Sequence, residues 1–383
     1  MTRIYLIRHA EAEGNLYRRV HGQFDANITM LGRRQVAALA ERFRYTPIDA
    51  LWSSDLTRTQ STASAVLKYH PCLTVHTTAA LREVDVGLWE DTPWGEIARA
   101  YPEQYHNFNR DPERWSVPGG ERFDAPVERM RRALLDLAAA YPGKTVAAVS
   151  HAYAIRALAS RLMGKDFAQL PFGDNTAVTT VLAENGALTL EQYADASHLG
   201  DLSTFAHQGL AGNHMGKKAD GRFVPMALPG ERELYTRAYS ETWTASHGSL
   251  RGFAPALYLH SAAQRVLEDP QCLAKIYYGD DLAGLIELDP DRGSDENAGW
   301  ISLIWVEQPM RGRRFGAQLV GYGVSYFRKK GRDKLRLHVS RTNADALAFY
   351  QAMGFVRAGA ADGVGGPLYL MEMDIARRVW RLP

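Results

Sequence analysis

The 383 residues carry 45 Lys plus Arg against 43 Asp plus Glu, a net charge of +2, and are 46% hydrophobic and 23% charged. The length suits two or three domains, the balance of charge gives no electrostatic ground for binding nucleic acid or a membrane surface, and the composition excludes global disorder. Two cysteines in different halves, Cys72 and Cys272, exclude a disulfide framework and a cysteine-rich zinc site. No apolar run approaches the roughly 18 residues of a membrane span. The opening apolar run is too short for a signal peptide, so the expected location is the cytoplasm.

Strand-like and helix-like segments alternate over the first 200 residues. Residues 4–7 read as a buried strand, 37–43 as a helix, and 50–52 as a second strand. Ser53, Ser54 and Asp55 offer N-cap chemistry for a helix to about residue 69. Residues 145–150 form a third strand and 152–163 a helix stopped by Gly164. Residues 178–182 and 188–193 flank Asn185-Gly186, a hairpin signal. Such alternation predicts an α/β sheet with parallel pairs. Five glycines and two prolines then fall between residues 209 and 230, which predicts a linker at 201–221 between domains at 1–200 and 222–383. Beyond it, 231–244 and 256–267 read as helices, 273–278, 283–288 and 300–306 as strands. Residues 316–330 follow as an amphipathic helix, then strand 335–339, helix 344–353 and strand 369–373.

Two histidines stand out by position. Arg8-His9 follows the first strand, and His151 follows the third, where a helix begins. In a parallel sheet both lie at the carboxyl ends of strands, the edge where open α/β sheets hold ligands. The helix start at Ala152 offers N–H groups and a positive dipole end to a phosphate. Arg58, in the first turn of the helix after the second strand, reaches the same edge, and paired guanidiniums clamp phosphoryl oxygens.

Leu6-Ile7-Arg8-His9-Ala10-Glu11 with Asn15, the run from Ser53 through Arg58 to Ala63, Leu81-Arg82-Glu83 with Gly87 and Trp89-Glu90, and Val149-Ser150-His151-Ala152 together resemble the histidine phosphatase (phosphoglycerate mutase-like) superfamily. Ala10 and Ala152 depart from the glycine common after each histidine. The resemblance implies a three-layer α/β/α domain in which His9 attacks phosphorus to give a phosphohistidine. Arg8, Asn15, Arg58 and His151 hold the phosphoryl oxygens, and Glu83 is the acid and then the base. Glu83 must then start protonated, with a pKa raised by burial. Asp85, Glu90 and Asp91 compete for that role. The implied substrate is a phosphorylated small molecule, and no metal is required. Residues 81–90 resemble the phosphatase branch, with a phosphoglycerate mutase-type phosphotransferase as the alternative.

In the second half, a strand through Ile304-Trp305-Val306 runs into Arg311-Gly312-Arg313-Arg314-Phe315-Gly316-Ala317 and a helix. Gly312 and Gly316 permit close backbone approach, and a helix N-terminus receives a pyrophosphate. With Asn343-Ala344 through Tyr350 to Gly354-Phe355, this resembles the GNAT acetyltransferases, although Arg314 replaces the first glycine of their loop. The resemblance implies an α/β domain with a mixed sheet, acetyl-CoA as co-substrate and an amine acceptor. Val306 would pair with the pantetheine arm, residues 311–317 would receive the pyrophosphate, Asn343 would flank the site and cap its helix, and Tyr350 would protonate the departing thiolate. Glu287 and Glu307 are candidate bases. The whole reads as a bifunctional phosphatase and N-acetyltransferase; the alternative for the second half is an acetyl-CoA-sensing domain without catalysis.

Overall fold

The computed structural model describes residues 1–207 and 219–383. They form two compact units, one of residues 1–92, 97–207 and 377–383, the other of residues 93–96 and 219–376. Of the predicted linker, 208–218 lie outside the described residues. Residues 201–207 fold with the first unit, where Gln35 donates to Leu202 and Thr204.

The first unit holds β1 (Thr2–Arg8), α1 (Glu13–Tyr17), α2 (Met30–Phe43), β2 (Ala50–Ser53), α3 (Thr57–Leu67), β3 (Val75–Thr77), α4 (Trp94–Ala100, whose residues 94–96 group with the second unit), α5 (Pro102–Arg110), α6 (Asp124–Ala140), β4 (Thr145–Ser150), α7 (Ala152–Met163), β5 (Val178–Glu184), β6 (Ala187–Asp195) and α8 (Thr204–His207). Its sheet runs β3-β2-β4-β1-β5-β6. The first four strands are parallel, while β5 is antiparallel to β1 and β6 to β5. Strand periodicity divides the core. Tyr5, Ile7, Leu51, Ala147 and Val149 pack with Val36, Leu39 and Phe43 of α2 and Ala63 and Val66 of α3. Ile4, Leu6, Val146 and Ala148 alternate with them and are equally buried; α6 and α7 cover that face.

Two helix starts are served by remote side chains, and the first differs from what the sequence predicts. Helix α3 takes no side-chain cap from Ser53, Ser54 or Asp55: its N-cap is Leu56. Asp25 supplies the cap from a distant loop, accepting from the Thr57 N–H at 2.8 Å and the Thr57 hydroxyl at 2.6 Å. Helix α7 begins after His151 without a side-chain bond from that residue, and again a remote carboxylate serves it.

The second unit holds β7 (Arg222–Pro225), α9 (Arg232–His247), α10 (Pro255–Glu268), β8 (Leu273–Tyr278), β9 (Asp281–Asp289), β10 (Ala298–Val306), α11 (Phe315–Lys329), β11 (Lys334–Ser340), α12 (Ala344–Met353), β12 (Val356–Gly363) and β13 (Gly366–Asp374). The mixed sheet runs β12-β13-β11-β10-β9-β8-β7. Only β10 and β11 are parallel, and their register runs from Ala298↔Lys334 to Ile301↔Leu337. Beyond that, Leu303–Val306 pairs with β9 alone, and His338–Ser340 pairs with β13. The two central strands part, leaving one flank of the end of β10 open. Among the described residues, no helix is long and apolar enough to cross a membrane.

Candidate active site

In the first unit, Arg8, His9, Arg58, Glu83 and His151 are all buried, and the topology gathers them at one sheet edge. The His9 and His151 rings lie 5.2 Å apart, centre to centre. His9 Nδ1 is 2.7 Å from the Ala10 carbonyl. A carbonyl only accepts, so Nδ1 carries the proton and Nε2 keeps its lone pair. Burial, then the Arg58 and Arg8 charges, hold His9 well below the usual histidine range. Burial, Arg58 and His9 do the same to His151. In both rings the neutral form is favoured.

The arginines are anchored on backbone oxygens. Arg58 donates to the carbonyls of Phe24 at 2.8 Å and Gly22 at 2.6 Å, and Arg8 to that of Gly173 at 2.6 Å. Nε of each arginine and both ring nitrogens of His151 are buried with no hydrogen-bond partner among the described residues. Two cations with unsatisfied donors beside two imidazoles are a donor set of the kind a dianionic phosphoryl group would satisfy. Asn15 is less buried; its Oδ1 accepts from the Ala12 N–H at 3.0 Å and the Asn175 amide at 3.4 Å.

Glu83 occupies the α7 N-terminus that the sequence reading assigns to phosphate. Its carboxylate accepts from the N–H groups of Tyr153 at 2.9 Å, Ala154 at 2.8 Å and Val84 at 3.0 Å. Two helix-end donors are therefore spent on a side chain. Burial raises the Glu83 pKa and outweighs the three N–H bonds and Arg58, which pull it down. The competing carboxylates are occupied elsewhere. Glu90 accepts from the N–H groups of Gly22, Gln23 and Phe24 and so shapes the loop whose carbonyls seat Arg58. Asp91 pairs with Arg19 and His21. Asp85 accepts from the Gly87 N–H of its own turn.

Sequence reasoning misses Asn175. It is fully buried, donates to the His9 carbonyl at 3.0 Å, and its Oδ1 has no hydrogen-bond partner among the described residues. Because β5 is antiparallel, its beginning lies at the edge where the parallel strands end. The polar run Asp174-Asn175-Thr176 just before the strand is the signal that the topology makes readable.

In the second unit, Val306 ends β10 on the open flank. Gly312 has φ +74° with nothing crowding its Cα, and Arg311 Nε donates back to the Val306 carbonyl at 3.1 Å. A Cβ on Gly316 would stand 3.0 Å from the Phe349 ring, so this glycine admits α12 against α11. The Phe315 side chain is core, and Ala317 is buried too; what they offer is the N–H groups heading α11. The Arg313 guanidinium lies 4.6 Å over the Tyr278 ring and 3.1 Å from the Met310 sulfur. Arg314 is the N-cap of α11 at φ +67°, the left-handed region that glycine adopts freely. Asn343 Oδ1 caps α12 through the Ala346 N–H at 3.1 Å. Tyr350 is half-buried, with Phe349 and Phe355 rings 5.1 and 5.5 Å away, and burial pushes its phenol up. Glu287 is deeply buried, paired with Arg265 and accepting from the Tyr235 hydroxyl. Glu307 pairs with Arg237.

Comparison with known proteins agrees with this division. The model of the histidine phosphatase superfamily (branch 1) matches residues 4–196, and that of the acetyltransferase (GNAT) family matches residues 231–355. Phosphoserine phosphatase 1 of Hydrogenobacter thermophilus is 28% identical over 212 residues, 55% of this chain and 100% of its own length. The metal-independent phosphoserine phosphatase of Arabidopsis thaliana is 31% identical over 216 residues, 56% of this chain and 89% of its own. A probable phosphoglycerate mutase, GpmB, of Yersinia pestis is 34% identical over 165 residues, 43% of this chain and 76% of its own. The solved structure of Bacillus stearothermophilus YhfR superposes with a TM-score of 0.50 at 26% identity, covering 52% of this chain and 99% of that one.

Proposed function

The chain belongs to the histidine phosphatase superfamily, and from that premise we propose that its first unit hydrolyses a small phosphomonoester through a phosphohistidine at His9. The observation that carries the reading is the His9 tautomer: the Ala10 carbonyl fixes the proton on Nδ1, and the neighbouring buried donors of Arg8, Arg58 and His151 lack partners. His9 Nε2 forms the bond to phosphorus as the ester P–O bond breaks, and Glu83 gives its proton to the leaving oxygen. Water then attacks phosphorus, the P–N bond breaks, Glu83 takes the water proton, and inorganic phosphate leaves. The arginines and His151 spread the charge on the equatorial oxygens. Phosphoserine is the first substrate to test, since two relatives are named as phosphoserine phosphatases.

The second unit, matched by the GNAT model, is read as an acetyl-CoA-dependent N-acetyltransferase. The open flank of β10 can pair with the amides of the pantetheine arm, the α11 N–H groups suit its pyrophosphate, and Tyr350 is assigned here as the acid for the thiolate. The test is a phosphate-release screen over phosphomonoesters, run with isotopically labelled acetyl-CoA and an amine panel. Acid-labile phosphate should map to His9 and acetylated amine should accumulate. Label on another residue sinks the first assignment, and an absence of acetyl-CoA binding at millimolar concentration sinks the second.

A further inference from the structure

Residues 377–383 follow β13 in sequence, yet they belong to the first unit. Every second backbone N–H along them donates to a side chain of that unit. Arg378 donates to Asn27 Oδ1 at 3.0 Å, Trp380 to Ser61 Oγ at 3.0 Å, and Leu382 to Ser64 Oγ at 3.1 Å. A period of two is that of extended chain. Trp380 and Leu382 pack against the core cluster that α2 and α3 form with the sheet. The Arg33 guanidinium lies 5.5 Å over the Trp380 ring, and that of Arg377 lies 4.8 Å over the Phe24 ring.

These contacts converge on the segment that seats Arg58. The Phe24 carbonyl accepts from Arg58, and Asp25 caps the helix that carries Arg58. Asn27 donates its N–H to Glu13 at 3.2 Å. Ser61, which accepts from Trp380, donates to the Thr57 carbonyl in the first turn of α3 at 2.8 Å. The strap thus touches both walls of the Arg58 seat, the loop at 22–27 and the start of α3.

We propose that residues 377–383 are a positioning strap for the phosphoryl site, holding the 24–27 loop against α3 so that Arg58 meets the phosphoryl oxygens in a single pose. The proposal rests on the phosphatase reading given above. It assigns Arg377 and Trp380 as positioning residues, and it makes the phosphatase unit incomplete in any chain that stops before residue 377.

The experiment uses the full-length chain, an Arg377→Ala/Trp380→Ala double variant and the conservative Trp380→Phe. Amide hydrogen exchange reads the seat directly. Rates over 20–28 and 57–64 should rise in the double variant while those over 145–163 stay fixed. With phosphoserine or p-nitrophenyl phosphate, well below the melting temperature, kcat should fall between about tenfold and a hundredfold, the size expected of a misplaced catalytic group. Affinity for orthovanadate should fall in parallel, and Trp380→Phe should restore both. A strap that only added stability would lower the melting temperature and leave kcat and orthovanadate affinity alone. Unchanged exchange over 20–28 with unchanged kcat overturns the strap and leaves the phosphatase reading standing. A wild-type chain that neither releases phosphate nor binds orthovanadate overturns the phosphatase reading, and the strap's role with it.

Discussion

The two units build their sites by opposite means. In the first, every charged group is tied to backbone: Arg8 and Arg58 to carbonyls, Glu83 to three N–H groups, and Glu90 to the loop beneath Arg58. In the second, the receptive feature is a gap in a sheet beside a helix end, and the nearby arginines are engaged with carbonyl, ring and sulfur. A site that must stabilise developing charge on one phosphorus needs fixed dipoles before the substrate arrives. A site for a long, flexible co-substrate needs main-chain groups along a path, and it tolerates side-chain change. Substitutions should therefore be costly in the first site and graded in the second.

The largest expected effect is at the nucleophile. His9→Ala should reduce phosphate release to background, while titration calorimetry still detects acetyl-CoA. Residual turnover near wild type would remove the covalent mechanism and the contrast together. Next is Glu83→Gln, with an expected loss of about 10²–10⁴-fold in kcat. The pH profile sharpens it. Glu83 is raised, so its acid form is lost, and kcat/KM falls, as pH rises through that raised value. His9 is lowered, so the acid limb lies below the ordinary histidine range. In Glu83→Gln the alkaline limb should disappear, and its persistence would assign that limb to another group.

In the second unit, Tyr350→Phe should lower acetyl-transfer kcat by up to the same factor with acetyl-CoA affinity nearly unchanged. Equal kcat in the two proteins would leave Tyr350 as packing for Phe349 and Phe355. The smallest expected effect is Arg314→Gly. A non-glycine residue in the left-handed region costs about 1 kcal/mol, part of which glycine loses again through its freer unfolded chain. The unit should melt a few degrees higher, and calorimetry will show whether acetyl-CoA affinity rises or falls.

Motif residues and strand ends were legible because they depend on local pattern. The β1 and β4 runs are apolar and short, and the histidines follow them directly. What stayed hidden depends on pairing over long sequence separations. The caps of α3 and α7 come from Asp25 and Glu83, not from the residues preceding each helix. Asn175 becomes a site residue only once β5 is known to run antiparallel. The packing of Phe349 on Gly316 stays hidden for the same reason, the two being 33 residues apart in sequence. Residues 377–383 gave no composition signal for their place in the first unit. Helix α6 was within reach: Val127, Met130, Leu134 and Leu137 line its buried side at helical spacing, yet it has no counterpart among the predicted elements.

The seating of Glu83 on the α7 N-terminus has a thermodynamic consequence for product release. A phosphate dianion bound among Arg8, Arg58 and His151 places negative charge beside a carboxyl already held up by burial, and raises its proton affinity further. Phosphate binding and proton uptake are then linked: the product should bind more tightly as pH falls through the Glu83 value, and escape more readily above it. Titrations of inorganic phosphate in buffers of different ionisation enthalpy would count that proton, and in Glu83→Gln only the proton that phosphate itself releases on binding as the dianion should remain.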